Sequence, residues 1–291
     1  VKVLVTGAHG QLGAEVVSVL AARAAAVVNG PALDVLAASH AQLDVSDRDA
    51  VLSAVTGYEP DVIIHAAAFT KVDACESEPD RAYAVNALGS RYLAEASRLI
   101  GAHLAAVSTD YVFDGRLDRP YVEWDTPNPL SVYGRSKLGG ERELSPAETI
   151  VRTSWVCGAV GANMVKTVLR LGTETDGVLR FVDDQRGCPT VAGDLACKLV
   201  ELALARRSGI FHVTNQGPTT WFGFARAVMG FAGLDEERVE PIASSDLDSS
   251  RYPAPRPANS VLDNAALRLA GLPLLPAWQE SVAALVAELM R

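Results

Sequence analysis

The sequence predicts an α/β chain, a doubly wound parallel sheet with a smaller C-terminal domain. Three observations carry that expectation. Through the first half, short contiguous apolar runs (residues 3–6, 61–67, 103–108 and 150–153) alternate with segments of helical periodicity, the pattern of parallel strands covered on both faces. The first run leads straight into a glycine-spaced turn, Gly7-Ala8-His9-Gly10-Gln11-Leu12-Gly13, that opens a helix. Beyond residue 157 the alternation becomes less regular, as a second, different domain would make it. The 291 residues suffice for a domain of roughly 150–200 residues plus a smaller one.

The elements follow in order. Residues 3–6 are β-branched or aliphatic and read as strand; residues 11–25 place Leu12, Val16 and Leu20 at helical spacing. Residues 27–28 read as a short second strand, 47–56 as a short helix, and 61–67, with Val62, Ile63 and Ile64 contiguous, as a strand. Pro79 opens a long helix to residue 100, proline being tolerated in the first turn. Then come a strand at 103–108, a helix at 131–143 and a strand at 150–153. In the second half, 163–171, 192–206, 221–233 and 278–290 read as helices, and 179–182 and 210–213 as strands. Residues 244–260, with Pro253, Pro255 and Pro257, read as a loop, and long loops in compact enzymes are often functional.

Composition narrows the class of partner. The hydrophobic fraction of 49% and charged fraction of 21% are those of a globular chain. A formal charge of −9 argues against a nucleic-acid surface, although backbone N–H groups at a helix start still bind an anionic cofactor locally. No apolar run approaches the ~18 residues of a membrane span, and the N-terminus lacks the order of a signal peptide. Cys75, Cys157, Cys188 and Cys197 show no CxxC spacing. They read as reduced thiols of a cytoplasmic protein, with neither a disulfide framework nor a metal cluster.

The glycine turn is the first chemical signal. Gly7 permits the tight turn, Gly10 lets backbone approach a pyrophosphate, and Gly13 lets the helix pack on the sheet. Unpaired N–H groups at the helix start then face the phosphates. The expected ligand is a dinucleotide, held by residues 1–156. Asp34, some 20 residues past the turn, fits an acceptor for the adenosine ribose hydroxyl, which would favour the non-phosphorylated cofactor. Asp44 and Val45 are placed to flank the adenine, and Ala66, Ala67 and Ala68 permit close cofactor approach. Residues 157–291 would mainly bind substrate, with elements near 183–214 returning to the sheet.

The second signal is Tyr133-Gly134-Arg135-Ser136-Lys137. Residues four apart share a helical face, so the lysine ammonium lies beside the phenol. Its charge should lower the tyrosine pKa towards working pH and suit it to proton transfer. A hydroxyl from Ser108 or Thr109, at the carboxyl end of a strand, can hydrogen-bond the reacting carbonyl.

Together these residues resemble the extended short-chain dehydrogenase/reductases. Ser108-Thr109-Asp110-Tyr111-Val112-Phe113-Asp114-Gly115, Val132-Tyr133-Gly134-Arg135-Ser136-Lys137-Leu138-Gly139-Gly140-Glu141, Arg152-Thr153-Ser154-Trp155-Val156 and Asp184-Gln185-Arg186-Gly187-Cys188-Pro189-Thr190 look more narrowly like the dTDP-4-dehydrorhamnose reductases. The resemblance implies reduction of the C4 ketone of dTDP-6-deoxy-L-lyxo-4-hexulose by NADPH or NADH, giving dTDP-L-rhamnose. It implies that Gly10, Gln11, Leu12, Asp34, Asp44, Val45 and Ala66 to Ala68 hold the cofactor. Thr109 would tune the ketone's surroundings, Tyr133 protonate the developing alkoxide, and Lys137 support it. Asp110 and Trp155 would line the sugar site and Arg256 face the nucleotide diphosphate.

Departures are visible. Ala254-Pro255 precede a single Arg256 where such reductases carry two arginines, and His65 replaces the more usual Asn before the alanine run. Some members hold Mg²⁺ with glutamates at a dimer interface; Glu15 matches one, but Gly193 stands where another would lie. A homodimer remains an expectation and a structural metal does not. Related sugar-nucleotide dehydratases carry Asp-Glu after the threonine for proton removal; here Asp110-Tyr111 follows, which argues for reduction over elimination. Two readings stay open beside this one: a reductase of another nucleotide 4-keto-6-deoxy sugar, and a non-catalytic partner like the regulatory subunit of methionine adenosyltransferase.

Overall fold

The computed structural model describes residues 1–26 and 32–291. Six parallel strands form the main sheet: β1 (Lys2–Thr6), β2 (Asp34–Ala38), β3 (Val62–His65), β4 (His103–Thr109), β5 (Thr149–Thr153) and β10 (Gly209–His212), in the order β10-β5-β4-β3-β1-β2. Side chains alternate across a strand, and β1 shows why its run is apolar throughout. Val3 and Val5 enter one core with Val16 and Leu20 of α1 (Gln11–Ala26) and Leu195 and Leu199 of α8 (Ala192–Leu204). Leu4 enters the opposite core with Val51 and Val55 of α2 (Arg48–Tyr58) and Leu93 of α5 (Gly89–Ile100). A sheet buried on both faces offers no polar side, hence contiguous hydrophobic strands.

Local chemistry fixes the helix starts. The Asp47 carboxylate accepts from the N–H groups of Asp49 and Ala50, and Ser131 Oγ accepts from Gly134 N at the start of α6 (Val132–Glu141). Asn163 and Thr220 do the same for α7 (Met164–Glu174) and α9 (Trp221–Phe231). The long helix expected from Pro79 is three pieces: α4 (Pro79–Tyr83), a π turn (Ala84–Leu88) and α5. Within that turn the Asn86 amide clamps the backbone of Phe69 on both sides, at 2.8 and 3.1 Å, and reaches Ser136 on α6 at 2.9 Å. A short α3 (Val72–Ser77) precedes it, and its Glu76 carboxylate accepts from Val132 N at 2.7 Å. Both ties brace the helix that carries Tyr133.

The C-terminal part has its own core. Val165 and Val168 of α7, Phe224 and Val228 of α9, and Trp278 and Val282 of α11 (Trp278–Leu289) pack together. They lie against the parallel pair β7 (Leu179–Val182) and β12 (Val239–Ile242). Two more small pairs, β6 (Val156–Cys157) with β9 (Thr190–Val191) and β8 (Arg186–Gly187) with β11 (Thr219–Thr220), bring the connecting segments together. From this half, α8 packs on α1, and β10 extends the main sheet beside β5. A one-turn helix α10 (Ala265–Leu269) covers β10.

The short strand expected at 27–28 lies outside the described residues. The described second strand is β2, at Asp34–Ala38, pairing in parallel with β1. The segment 244–260 is mostly irregular, with one 3₁₀ turn (Ser244–Asp246). No helix among the described residues is long and apolar enough to cross a membrane, and all four cysteines are free.

Candidate active site

The carboxyl ends of β1, β3, β4 and β5 deliver Thr6, His65, Thr109 and Thr153 to one edge of the sheet. There the glycine turn closes on itself, with Gly10 N donating to Gly7 O at 2.9 Å. Gly7 sits at φ +69°, where L side chains are strained. A Cβ there would stand 2.7 Å from the Ala67 backbone, and one on Gly13 2.1 Å from Gly7 O. Neither position tolerates a side chain without moving backbone.

Two cavities open along this edge and share Gly10, Ala66 and Ala68, so they form one elongated cleft. The first, about 600 Å³, is lined by Gly7, Gly10, Asp44, Val45 and the three alanines 66–68. The second, about 440 Å³, is lined by Gln11, Leu12, Thr109, Asp110, Tyr133, Lys137 and Trp155. A cradle that a Cβ would fill, opening into a long cleft, fits a dinucleotide. Gln11 also binds the halves of the chain together: Nε2 donates to Val156 O at 2.8 Å and Oε1 accepts from Asn163 at 2.9 Å.

Asp34 is the exception among the expected cofactor residues. It is the first residue of β2, opposite Lys2, and its N–H donates to Val1 O. The glycine turn lies at the other end of the sheet, about 13 Å away along a five-residue strand. Counting 20 residues from the turn assumes that the second strand ends there; here it begins there. The residue at its carboxyl end is Ser39, next to Ala38, whose carbonyl accepts from Ala8 N at 3.1 Å.

The other end of the cleft holds the reactive groups. Lys137 Nζ donates to Val107 O at 2.7 Å. Burial lowers its pKa to about 8, against an opposing pull from Glu141 one turn further along α6. Tyr133 differs from the expectation: desolvation holds its phenol well above the usual range, the Thr109 hydroxyl beside it works the other way, and Asp110 and Tyr111 add to the rise. The lysine charge is not among the leading causes; its ammonium donates to Val107 O. The phenol is therefore held as the protonated acid. Tyr111 packs edge-on against it, ring centroids 5.6 Å apart.

The two hydroxyls at the end of β4 separate. Ser108 Oγ turns to Glu141 at 2.5 Å, while Thr109 Oγ1 stays at the cleft, donating to Asp110 Oδ1 at 3.0 Å. Asp110 is buried and its Oδ2 has no partner; burial raises its pKa to about 6. His65, on β3, is buried with Nδ1 on Thr6 Oγ1 at 2.8 Å, and burial lowers its pKa to about 3, so it is neutral.

Trp155 sits at φ +46° and stacks on Trp221, centroids 3.5 Å apart and planes 6° from parallel. Gly187 makes room: a Cβ there would lie 2.4 Å from the Trp155 ring. Trp221 lines the same cavity. Nothing in the sequence flagged it, since an aromatic at the start of a helix is unremarkable until the chain folds it onto Trp155. Arg256 lines neither cavity; Asp73 of α3 holds it at 2.6 Å, beside Tyr111.

A chain that folds a glycine cradle into one end of a cleft and a desolvated tyrosine with a buried lysine into the other is built as a nicotinamide-dependent extended short-chain dehydrogenase/reductase. The family model described as "RmlD substrate binding domain" matches residues 1–291. A dTDP-4-dehydrorhamnose reductase from Streptomyces griseus is 43% identical over 288 residues, covering 96% of this chain and 91% of that one. A spore coat polysaccharide biosynthesis protein of Bacillus subtilis is 41% identical over 274 residues, covering 93% and 92%. The crystal structure of a dTDP-4-dehydrorhamnose reductase from Bacillus anthracis in complex with NADP superposes with a TM-score of 0.90 at 37% identity, covering 99% of both chains. The chain belongs to the dTDP-4-dehydrorhamnose reductase family.

Proposed function

We propose that this chain reduces the C4 ketone of a dTDP-4-dehydro-6-deoxy-L-sugar to give dTDP-L-rhamnose, with NADPH or NADH as cofactor. The observation that carries this reading is the placement of Tyr133, Thr109 and Lys137 on one cavity that is continuous with the glycine cradle. Gly7, Gly10, Gln11, Leu12 and Gly13, with Asp44, Val45, Ala66, Ala67 and Ala68, are assigned to the dinucleotide. When bound, it supplies the hydride that adds to the sugar C4. Tyr133 Oη donates the proton that the carbonyl oxygen takes up; desolvation keeps that proton in place until it is needed. Thr109 sets its hydroxyl beside the phenol, and Lys137 keeps a positive charge on the same helical face. Asp110 and Trp155 line the sugar end of the cleft. Arg256 serves the diphosphate on leaving Asp73.

On this reading residues 1–156 form the dinucleotide domain, and residues 157–291 mainly the sugar-nucleotide domain, with segments near 183–214 returning to the sheet. A net charge of −9 supports the absence of a nucleic-acid partner. Reduced cysteines support a cytoplasmic setting. For the expected homodimer, the groove that brings Glu15 of α1 together with Gly193 of α8 and Leu285 of α11 is the face we assign.

The test is loss of the NADPH absorbance band on adding dTDP-4-keto-L-rhamnose, for the wild type and Tyr133→Phe. Turnover in the wild type should fall by about 10²–10⁴ in the variant, the worth of one general acid. A wild type that binds the dinucleotide but turns over neither cofactor would overturn the proposal.

A further inference from the structure

Among the described residues six buried side-chain atoms have no hydrogen-bond partner, and two of them, Asp110 Oδ2 and Thr153 Oγ1, belong to residues that line the reactive end of the cleft. Buried polar groups are otherwise almost always paired, because an unpaired one forfeits hydration and gains nothing in return. Two such atoms on one cavity mark it as a place where a polar ligand supplies the missing partners. The Asp110 carboxylate belongs to the sugar end already described. The Thr153 hydroxyl has no role so far.

The sheet fixes where that hydroxyl stands. Thr153 is the last residue of β5, in register with Thr109 of β4, so the two side chains share a face about 4.8 Å apart. The chain is committed on either side of it. Arg152, on the opposite face, is held by Glu141, and Ser154 Oγ donates to Cys188 O at 2.6 Å. Trp155 follows, stacked on Trp221. A β-branched side chain on so constrained a strand end has few rotamers to choose from. Thr153 is absent from the wall beside the glycine cradle and shares its cavity with Thr109, Tyr133 and the two indoles. That wall combines an apolar surface with an unspent hydroxyl. A 6-deoxyhexose offers the complement: an apolar methyl and C–H face, and ring hydroxyls that both donate and accept. With C1 carrying the nucleotide, C4 the ketone and C6 a methyl, the hydroxyls left to meet Thr153 are those on C2 and C3.

We propose that Thr153 is a specificity-determining residue, its hydroxyl bonding the C2 or C3 hydroxyl of the bound sugar, so that this chain discriminates against nucleotide sugars lacking that group. This role rests on the keto sugar occupying the cleft, as proposed above.

Thr153→Val replaces the hydroxyl by a methyl of nearly the same shape. In the sugar-free protein it should leave the urea midpoint unchanged or raised, since an unpaired buried hydroxyl is removed. KM for the keto sugar should rise about 2–12-fold, the worth of one neutral hydrogen bond, with dinucleotide affinity by calorimetry unchanged. Thr153→Ser should return KM close to the wild-type value. The decisive comparison is inhibition by dTDP-L-rhamnose and by its 2-deoxy and 3-deoxy forms. In the wild type one deoxy form should inhibit more weakly than the parent, and in Thr153→Val that gap should shrink by the same factor as the rise in KM. A lower urea midpoint would show the hydroxyl paired within the fold. A loss of dinucleotide affinity with KM for the sugar unaltered would assign it to the cofactor, and equal shifts for all three inhibitors would make its role structural. Each of these overturns the proposal. A wild type that binds the dinucleotide without reducing the keto sugar instead overturns the reductase reading on which it stands.

Discussion

One helical turn beyond Lys137 lies a buried ion pair whose removal should be felt in both stability and catalysis. Arg152, on β5, presents Nε and Nη2 to the two oxygens of Glu141 at 2.9 and 2.7 Å, and the side chains are only 2% and 6% exposed. Glu141 also takes the Ser108 hydroxyl, and the guanidinium lies 5.2 Å from the Phe113 ring centroid. Arg152→Leu keeps the volume roughly filled but leaves the carboxylate buried with one hydroxyl partner. The cost of breaking such a pair from one side is about 3–5 kcal/mol, because the remaining charge is neither solvated nor compensated. Glu141→Leu should cost a similar amount by stranding the guanidinium. The double variant should recover most of the loss, since a pair replaced whole by apolar groups is often close to neutral. The coupling between the two sites should therefore exceed about 3 kcal/mol in a double-mutant cycle. Urea titrations followed by tryptophan fluorescence of the four proteins measure it. If Arg152→Leu lies within about 0.5 kcal/mol of wild type, as a neutral surface change would, or if the two changes simply add, the pair is not the buried unit described.

The remaining predictions concern the cleft. With the Lys137 pKa at about 8, kcat/KM for reduction should be flat on the acid side of that value and fall above it as the ammonium is lost. Glu141→Gln removes the interaction that raises the lysine, so the break should move to lower pH; a break that stays put assigns it to another group. For stability the sign is opposite: between about 8 and 10.5 the unfolded chain binds more protons at this lysine than the folded one. The residue's contribution to stability therefore improves as pH rises through that window. Trp221→Ala removes the ring stacked on Trp155 and should raise KM for the sugar nucleotide by roughly 2–12-fold, the worth of an aromatic pair, with dinucleotide affinity unchanged; an unaltered KM would remove Trp221 from the sugar site.

What the sequence made legible is what local rules govern. The parallel sheet could be read from contiguous apolar runs because both faces are covered, and α6 with Tyr133 and Lys137 because a serine cap starts it and i,i+4 spacing is fixed by the helix. What escaped needed tertiary information. Nothing local announces the π turn at Ala84–Leu88: Asn86 holds that geometry by clamping Phe69, 17 residues earlier. Asp34 was misplaced because spacing from a glycine turn marks a residue's distance along the chain, not which end of a strand it occupies. The raised Tyr133 pKa escaped for a similar reason. Adjacency to a lysine is visible in sequence, but desolvation belongs to the fold.

The same physics bears on why the chemistry would stop at reduction. Elimination needs a base near the sugar that is charged and free to accept a proton. The residue after Asp110 is Tyr111, and desolvation together with the Asp110 charge pushes its phenol well above the usual tyrosine range, despite the nearby Arg256. A neutral phenol is a donor, not a base. Packed edge-on against Tyr133, it adds to the rise that keeps that phenol protonated. Asp110 is the one carboxylate among the residues lining this end of the cleft, and its Oδ1 is engaged by Thr109. This end of the cleft supplies one protonated acid, one cation and a single carboxylate, without the adjacent Asp-Glu pair that dehydratases carry after the threonine.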